Sequence, residues 1–442
     1  MVRKRAIGKG GGSASAFPVS SIGRHEAVKD QHPHFERTVL DNGVRVITEH
    51  IPSVRSISVG AWVDAGSRDE TASEAGISHF IEHMVFKGTR KRRMHQIAQR
   101  MESVGGYLNA FTSKEHTCFY ARALDEHLDR AVDTVTDLVL SPTFPEKELS
   151  KEQDVVIEEM KMYEDTPEEL IFDRLDSAMY PGHPLGFPVI GYEDTVRSFT
   201  RDGLVDYLDR NYSLDRLVIA AAGNIRHART VALVKRAVES MDRPPVQRTP
   251  VPIPAHIPGE HAEVRPIQQA HLVVGCRGYD AHDQRRAALS VLNTIVGGGM
   301  SSRLNQNIRE RYGFCYSIYS FTNLNADTGE FGVYMGTDAS KVERAKKLIF
   351  RELEKIAERE VSPRTLSQAV SQVKGSIMLG LENMGSRMMR IGKQELYYGR
   401  YFSLDEVMEQ LNAVTAADLL AVARDLFDES RFTTITLLPK GD

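Results

Sequence analysis

Two histidines four residues apart, with a glutamate directly before the second, stand in the stretch ISHFIEHMVFKGT, residues 77–89. On a helix His79 and His83 project from one face and can converge on a single ion. Glu82 lies beside them, displaced enough to reach a water at the ion rather than the ion itself. The pattern H-x-x-E-H is the reverse of the H-E-x-x-H zinc signature and obeys the same geometry. The helix around it is apolar, through Ile77, Phe80, Ile81, Met84, Val85 and Phe86, and ionisable groups in such a setting need partners. A catalytic zinc takes three protein ligands and keeps one position open, so a third ligand must come from another element. Two candidates, Glu152 and Glu159, lie in the acidic helical stretch of residues 146–170. Seven residues make two helical turns, so these two share a face, which Val155 and Val156 direct inward. Glu158 turns about 100° away, into solvent.

The elements that must position these groups come in two sets. Residues 241–261 carry Pro244, Pro245, Pro250, Pro252, Pro254 and Pro258, a composition that favours extended, semi-rigid backbone and marks a linker. On either side the sequence repeats itself at one offset: Gly60 matches Gly275, Thr200 matches Thr415 and Leu204 matches Leu419, each pair 215 apart. Each half mixes strand-like alternation, as in SISVGAWVDAG, with amphipathic helical patterns such as DEHLDRAVDTVTDLVL. The expected fold class is α+β: two homologous domains from an internal duplication, each a mostly antiparallel sheet with helices packed on one face. The expected boundaries are a disordered basic tail over 1–35, a zinc-binding domain over 36–240, the linker over 241–262 and a second domain over 263–442. Carried through the offset, the zinc motif lands on Thr294, Gly297, Gly298 and Lys374, so the second half is expected to hold no metal.

Charge and cysteine usage exclude several function classes. A net charge of −4 and the lack of an aromatic-interleaved basic patch argue against nucleic acid as a partner. No apolar run reaches the roughly 18 to 20 residues that span a bilayer, so no membrane partner is expected. Cys118, Cys276 and Cys315 stand far apart, which argues against a disulfide framework or a thiolate zinc site and suits a reducing compartment. The first 25 residues hold five Lys or Arg and no acid. They lack the apolar stretch of a secretory signal and leave two readings, a disordered tail or a mitochondrial-type targeting segment.

The stretches HFIEHMVFKGT, GGYLNAFTSKEHTCFYARAL and KEQDVVIEEMKMYEDTP together resemble the pitrilysin/insulinase family of zinc metallopeptidases. The likeness is nearest to the β-subunits of mitochondrial processing peptidase and their short bacterial relatives, and runs from about residue 36 to the C-terminus. It implies one Zn2+ per chain held by His79, His83 and Glu159, with Glu82 as the general base and Glu152 supporting the ligands from behind. LNAF becomes the edge strand on which substrate lies, with Asn109, Ala110 and Phe111 offering main-chain pairing. In the second half, Arg309 and Tyr316 correspond to the pair that contacts bound peptide near the scissile bond. The activity implied is endoproteolysis of unfolded peptides or extended segments inside a closed chamber. A homodimer, or a heterodimer with an inactive homologue, would complete that chamber. A bacterial-type cytoplasmic location follows, with the mitochondrial matrix as the alternative. Other members have different roles, as presequence-processing enzymes or as non-catalytic core subunits. The second role is disfavoured here because all four motif residues are present.

Overall fold

The computed structural model describes residues 34–440. The basic tail expected over 1–35 therefore lies outside the described residues except for its last two, and Phe35 already belongs to a strand. The first half contains strands β1 (Phe35–Val39), β2 (Arg45–His50), β3 (Ser56–Val63), β4 (Tyr107–Thr112), β5 (Thr117–Leu124) and β6 (Leu217–Gly223). Its helices are α1 (Ile77–Val85), α2 (Met94–Glu102), α3 (Leu128–Leu140), α4 (Glu146–Glu164), α5 (Pro167–Met179), α6 (Glu193–Ser198), α7 (Arg201–Asn211) and α8 (His227–Val238). The second half contains β7 (Glu260–Arg265), β8 (Ala270–Gly278), β9 (Cys315–Leu324), β10 (Gly329–Thr337) and β11 (Thr433–Pro439). Its helices are α9 (Arg286–Gly297), α10 (Val342–Glu358), α11 (Pro363–Gly380), α12 (Met384–Tyr398), α13 (Leu404–Ala413) and α14 (Ala416–Leu426). β7 begins at Glu260, so the last residues of the Pro-rich stretch 241–262 are already sheet.

The sheets run β1-β2-β6-β3-β5-β4 and β7-β11-β8-β10-β9. In each, a single pair is parallel, β2 with β6 and β7 with β11, and the remaining neighbours are antiparallel. Strand for strand the orders coincide once β1 is set aside, and β3 and β8 carry the offset-related Gly60 and Gly275. β4 and β9 are the corresponding open edges.

Both faces of the central strands are buried, which is why β3 and β6 read as almost continuous apolar runs. One face meets the half's own helices, as expected. In the first half these include α1 and α3, packed over Val59, Ala61, Phe119 and Ile219. The other face is closed by a helix from the opposite half. α12 covers Ile47, Trp62, Val218 and Ala220 with Met388 and Ile391, while α5 covers Val273, Ile435 and Leu437 with Ile171, Leu175 and Met179. The crossing is close: a Cβ at Gly392 would fall 2.4 Å from the Trp62 ring, and one at Gly60 would fall 2.5 Å from Met388 Sδ. Ion pairs flank the contact, Arg37 with Glu395 at 2.9 Å and Arg387 with Glu49 at 2.7 Å. The linker is pinned in turn, Arg248 binding Asp69 at 2.7 Å.

Candidate metal centre and active site

α1 buries Ile77, Ser78, Phe80, Ile81, Met84 and Val85 and leaves His79, Glu82 and His83 on the remaining stripe. The helical period thus delivers His79, Glu82 and His83 to one side. Its first turn has no side-chain cap of its own. Glu70, in the preceding segment, accepts from the main-chain N–H groups of Gly76 at 2.8 Å and Ser78 at 2.9 Å. That carboxylate satisfies donors a helix start leaves open. Gly76 has φ +93°, and a Cβ there would fall 2.6 Å from Ile190 O, so the turn into α1 requires glycine.

α4 packs across α1 and supplies the carboxylates. His79 Nε2 lies 3.9 Å from Glu159 Oε1, and His83 Nε2 lies 3.4 Å from Glu159 Oε2. Donor atoms of the three residues fall within 4.8 Å of one another, the one group of this kind among the described residues. Glu152 stands behind His83, its Oε1 2.9 Å from Nδ1, and its other oxygen meets Lys87 Nζ at 2.5 Å. Two imidazole nitrogens and one carboxylate oxygen form a donor set suited to zinc with a position left over, and Glu152 behind a ligand histidine is the usual supporting carboxylate. Among the described residues His79 Nδ1 is buried with no hydrogen-bond partner, while Nε2 is the nitrogen that faces Glu159.

The electrostatics agree. Burial, with His83 nearby, pushes His79 down to about 4. Burial also opposes charge on His83, but its hydrogen bonds to Glu152 and Glu159 outweigh this and hold it up at about 9. The hydrogen bond with His83 draws Glu159 below the ordinary carboxylate range. Burial works against ionised Glu152, yet His83 and Lys87 together bring it below that range too. The cluster thus favours a positive charge at its centre, supplied by a proton on His83 or by a cation that displaces it. Glu82 differs: burial pushes its carboxyl up, and the hydrogen bond from Thr112 Oγ1 at 2.6 Å only partly offsets this.

Two expectations on α4 come out differently. Val156 is buried but Val155 is half exposed, because the buried stripe of α4 runs through Glu152, Gln153, Val156 and Ile157 and Val155 lies off it. Glu158 does point outward, its side chain 71 % exposed and paired with Lys161.

β4 is the open edge expected of LNAF, but its three residues divide. Ser113 N–H donates to His116 O at 2.9 Å, which sets the ladder phase: Phe111 and Asn109 bond to β5, and Ala110 faces the open side. Of Asn109, Ala110 and Phe111, only Ala110 offers its main chain to an incoming strand. Its N–H is held at 2.9 Å by Asn109 Oδ1, and the Phe111 side chain packs on the opposite face, beside Trp62. Arg309 lies in a short helical stretch, Asn305–Glu310, and Tyr316 is the second residue of β9, 86 % exposed. The guanidinium lies 5.6 Å from the Tyr316 ring centre. Among the described residues no hydrogen bond, ion pair or ring contact joins them to the His79–His83–Glu159 cluster. At the equivalent place in the second half, Gly297 abuts Ser320 and Lys374 bonds Asn412, with no donor cluster.

Sequence reasoning missed Thr112, Lys87 and Glu70. Lys87 was within reach, being one turn beyond His83; Thr112 and Glu70 depend on how strand and loop pack against α1.

Residues 45–193 match the family described as Insulinase (Peptidase family M16), and residues 198–373 match the Peptidase M16 inactive domain. An uncharacterized zinc protease of Bacillus subtilis is 40% identical over 407 residues, covering 92% of this chain and 99% of its own. One from Streptomyces coelicolor is 41% identical over 400 residues, covering 88% and 86%. A protease from Helicobacter pylori superposes with a TM-score of 0.85 at 22% identity over 92% of this chain and 100% of its own, a likeness of fold. The chain belongs to the insulinase (M16) family of peptidases.

Proposed function

We propose that this protein is a zinc endopeptidase acting on unfolded peptides or extended segments, with Glu82 as its general base. The observation that carries this reading is a shared strand. β4, whose open edge can pair with an extended peptide, also holds Glu82 through Thr112. A peptide laid along β4 therefore passes the base. Zinc held by His79, His83 and Glu159, one ion per chain, would supply a Lewis acid that polarises the scissile carbonyl and acidifies a water. Glu152 fixes the His83 ring by its Nδ1 hydrogen bond. Thr112 occupies Glu82 Oε2, which leaves Oε1 to take the proton of the attacking water and return it to the leaving amine. Raised by burial, the Glu82 carboxylate is a stronger base for the first transfer than an exposed glutamate. Metal analysis of purified protein, with mass spectrometry of a mixed-peptide digest, tests the reading. A zinc-loaded protein that cuts no peptide bond would refute it.

Arg309, partly buried, and Tyr316, exposed, make no hydrogen bond, ion pair or ring contact with this chain's own cluster among the described residues. This suits a role in trans within a homodimer, where Arg309 of the partner subunit would approach the scissile carbonyl. Mixing a Glu82→Gln chain with an Arg309→Ala/Tyr316→Phe chain should restore up to half the wild-type activity per mixed dimer. Exchange without recovery would place the pair in cis or outside catalysis.

A further inference from the structure

Among the described residues the second half holds no donor cluster, yet it reaches both elements that carry the reacting groups. The contacts converge on Glu115, in the β4–β5 turn, whose side chain is almost fully buried. Its carboxylate accepts from Arg68 Nη1 at 2.5 Å, from the Tyr397 hydroxyl at 2.8 Å, and from the Ala326 N–H, which lies 3.1 and 3.0 Å from its two oxygens. Tyr397, on α12, and Ala326, between β9 and β10, both belong to the second half; Arg68 precedes α1 and extends its other arm to Asp327 at 2.5 Å.

Around this carboxylate the turn and the segment before α1 are zipped together. Ser67 N–H donates to Ser113 O at 3.1 Å and Arg68 N–H to Lys114 O at 2.7 Å. The approach is so close that a Cβ on Gly66 would fall 2.3 Å from Ser113 O. Two residues past Arg68, Glu70 fastens the start of α1. Three residues before Glu115, Thr112 holds Glu82. The helix with the histidines and the strand that orients the base are thus joined at one carboxylate, which the second half completes.

We infer that Glu115 is a positioning residue. Docked on Ala326 and Tyr397, it sets β4 against α1 so that Thr112 can hold Glu82, and the half without a zinc motif thereby takes part in building the active site. The inference rests on Glu82 being the general base. Glu115→Gln keeps the shape but turns an amide N–H2 towards donors. Misplacement on the order of 1 Å at a catalytic group costs up to about 100-fold, so kcat should fall by about 10- to 100-fold. Zinc content should stay near wild type, since the donor set is not touched. Tyr397→Phe, which removes one hydroxyl from the far half and preserves packing, should show a smaller fall of the same kind. It carries the test if Glu115→Gln fails to fold.

A merely structural role is separated by a cycle with Thr112→Val. If Glu115 and Tyr397 act through Thr112, their substitution in the Thr112→Val background should lower kcat by less than about threefold. Full multiplication of the two effects, or an unchanged kcat in both Glu115→Gln and Tyr397→Phe, would overturn the inference while leaving the peptidase reading intact. Undiminished turnover in Glu82→Gln would overturn both.

Discussion

Glu152 grips His83 from behind, Oε1 to Nδ1 at 2.9 Å, and so turns Nε2 of the same ring towards Glu159. The two carboxylates on this face of α4 therefore have unequal duties. Removing the supporting one should weaken zinc binding by about 10- to 100-fold, whereas Glu159→Gln removes a ligand and should leave the protein without zinc after gel filtration. Glu158→Gln, on the solvent side, should bind normally. Competition with a chromophoric chelator ranks the three; equal affinities for Glu152→Gln and wild type would refute the division.

Glu82→Gln should keep full zinc and lose turnover by about 10²- to 10⁴-fold, the usual contribution of a general base. A chelator should silence the wild type and added Zn2+ revive it. Fluorogenic peptide cleavage with parallel metal analysis reads both, and loss of zinc in the variant would mean that Glu82 is a ligand.

His116, in the turn beside Glu115, gives a stability prediction with a definite sign. Burial, with Lys393 adding to it, pushes the imidazole from 6.5 down to about 3. Between those values the unfolded chain binds a proton that the folded chain refuses, so stability falls as pH drops from 6.5 towards 3. The slope from one such group approaches about 1.4 kcal/mol per pH unit. Denaturant titrations of His116→Gln at successive pH values should show a shallower acid decline; parallel declines would mean that the folded imidazole is protonated after all.

Gly392 and Gly375 make a matched pair of helical glycines. Alanine at either gains about 1 kcal/mol of helix propensity. At Gly375 a Cβ meets nothing within 4 Å, so that gain should appear as a higher Tm. At Gly392 the Cβ would run into buried Trp62, and overpacking of this kind costs about 1–3 kcal/mol. The clash should win and Tm should fall. Calorimetry decides it.

The donor cluster was legible because its geometry is local. His79, Glu82 and His83 share one helix, Glu152 and Glu159 share another, and a period of 3.6 places each set without knowledge of the rest. The same period was misapplied to Val155. Main-chain direction along β4 was hidden for a different reason: which of Asn109, Ala110 and Phe111 faces outward depends on the ladder phase set at Ser113 and His116. Thr112, Glu70 and Glu115 act across gaps of 6 to 282 residues, and no local pattern marks them. The duplication showed through the offset of 215, but the reciprocal helices did not. Nothing in residues 384–398 says which sheet they will cover.

That reciprocity has a consequence for synthesis on the ribosome. The first half emerges complete in its own strands by Gly223, yet the floor of its sheet stays bare until Tyr398 has left the exit tunnel. During that interval Trp62, Ile47 and Val218 face water, an invitation to non-native partners. A nascent chain stalled between the halves should thus be a client of chaperones, released only when α12 arrives.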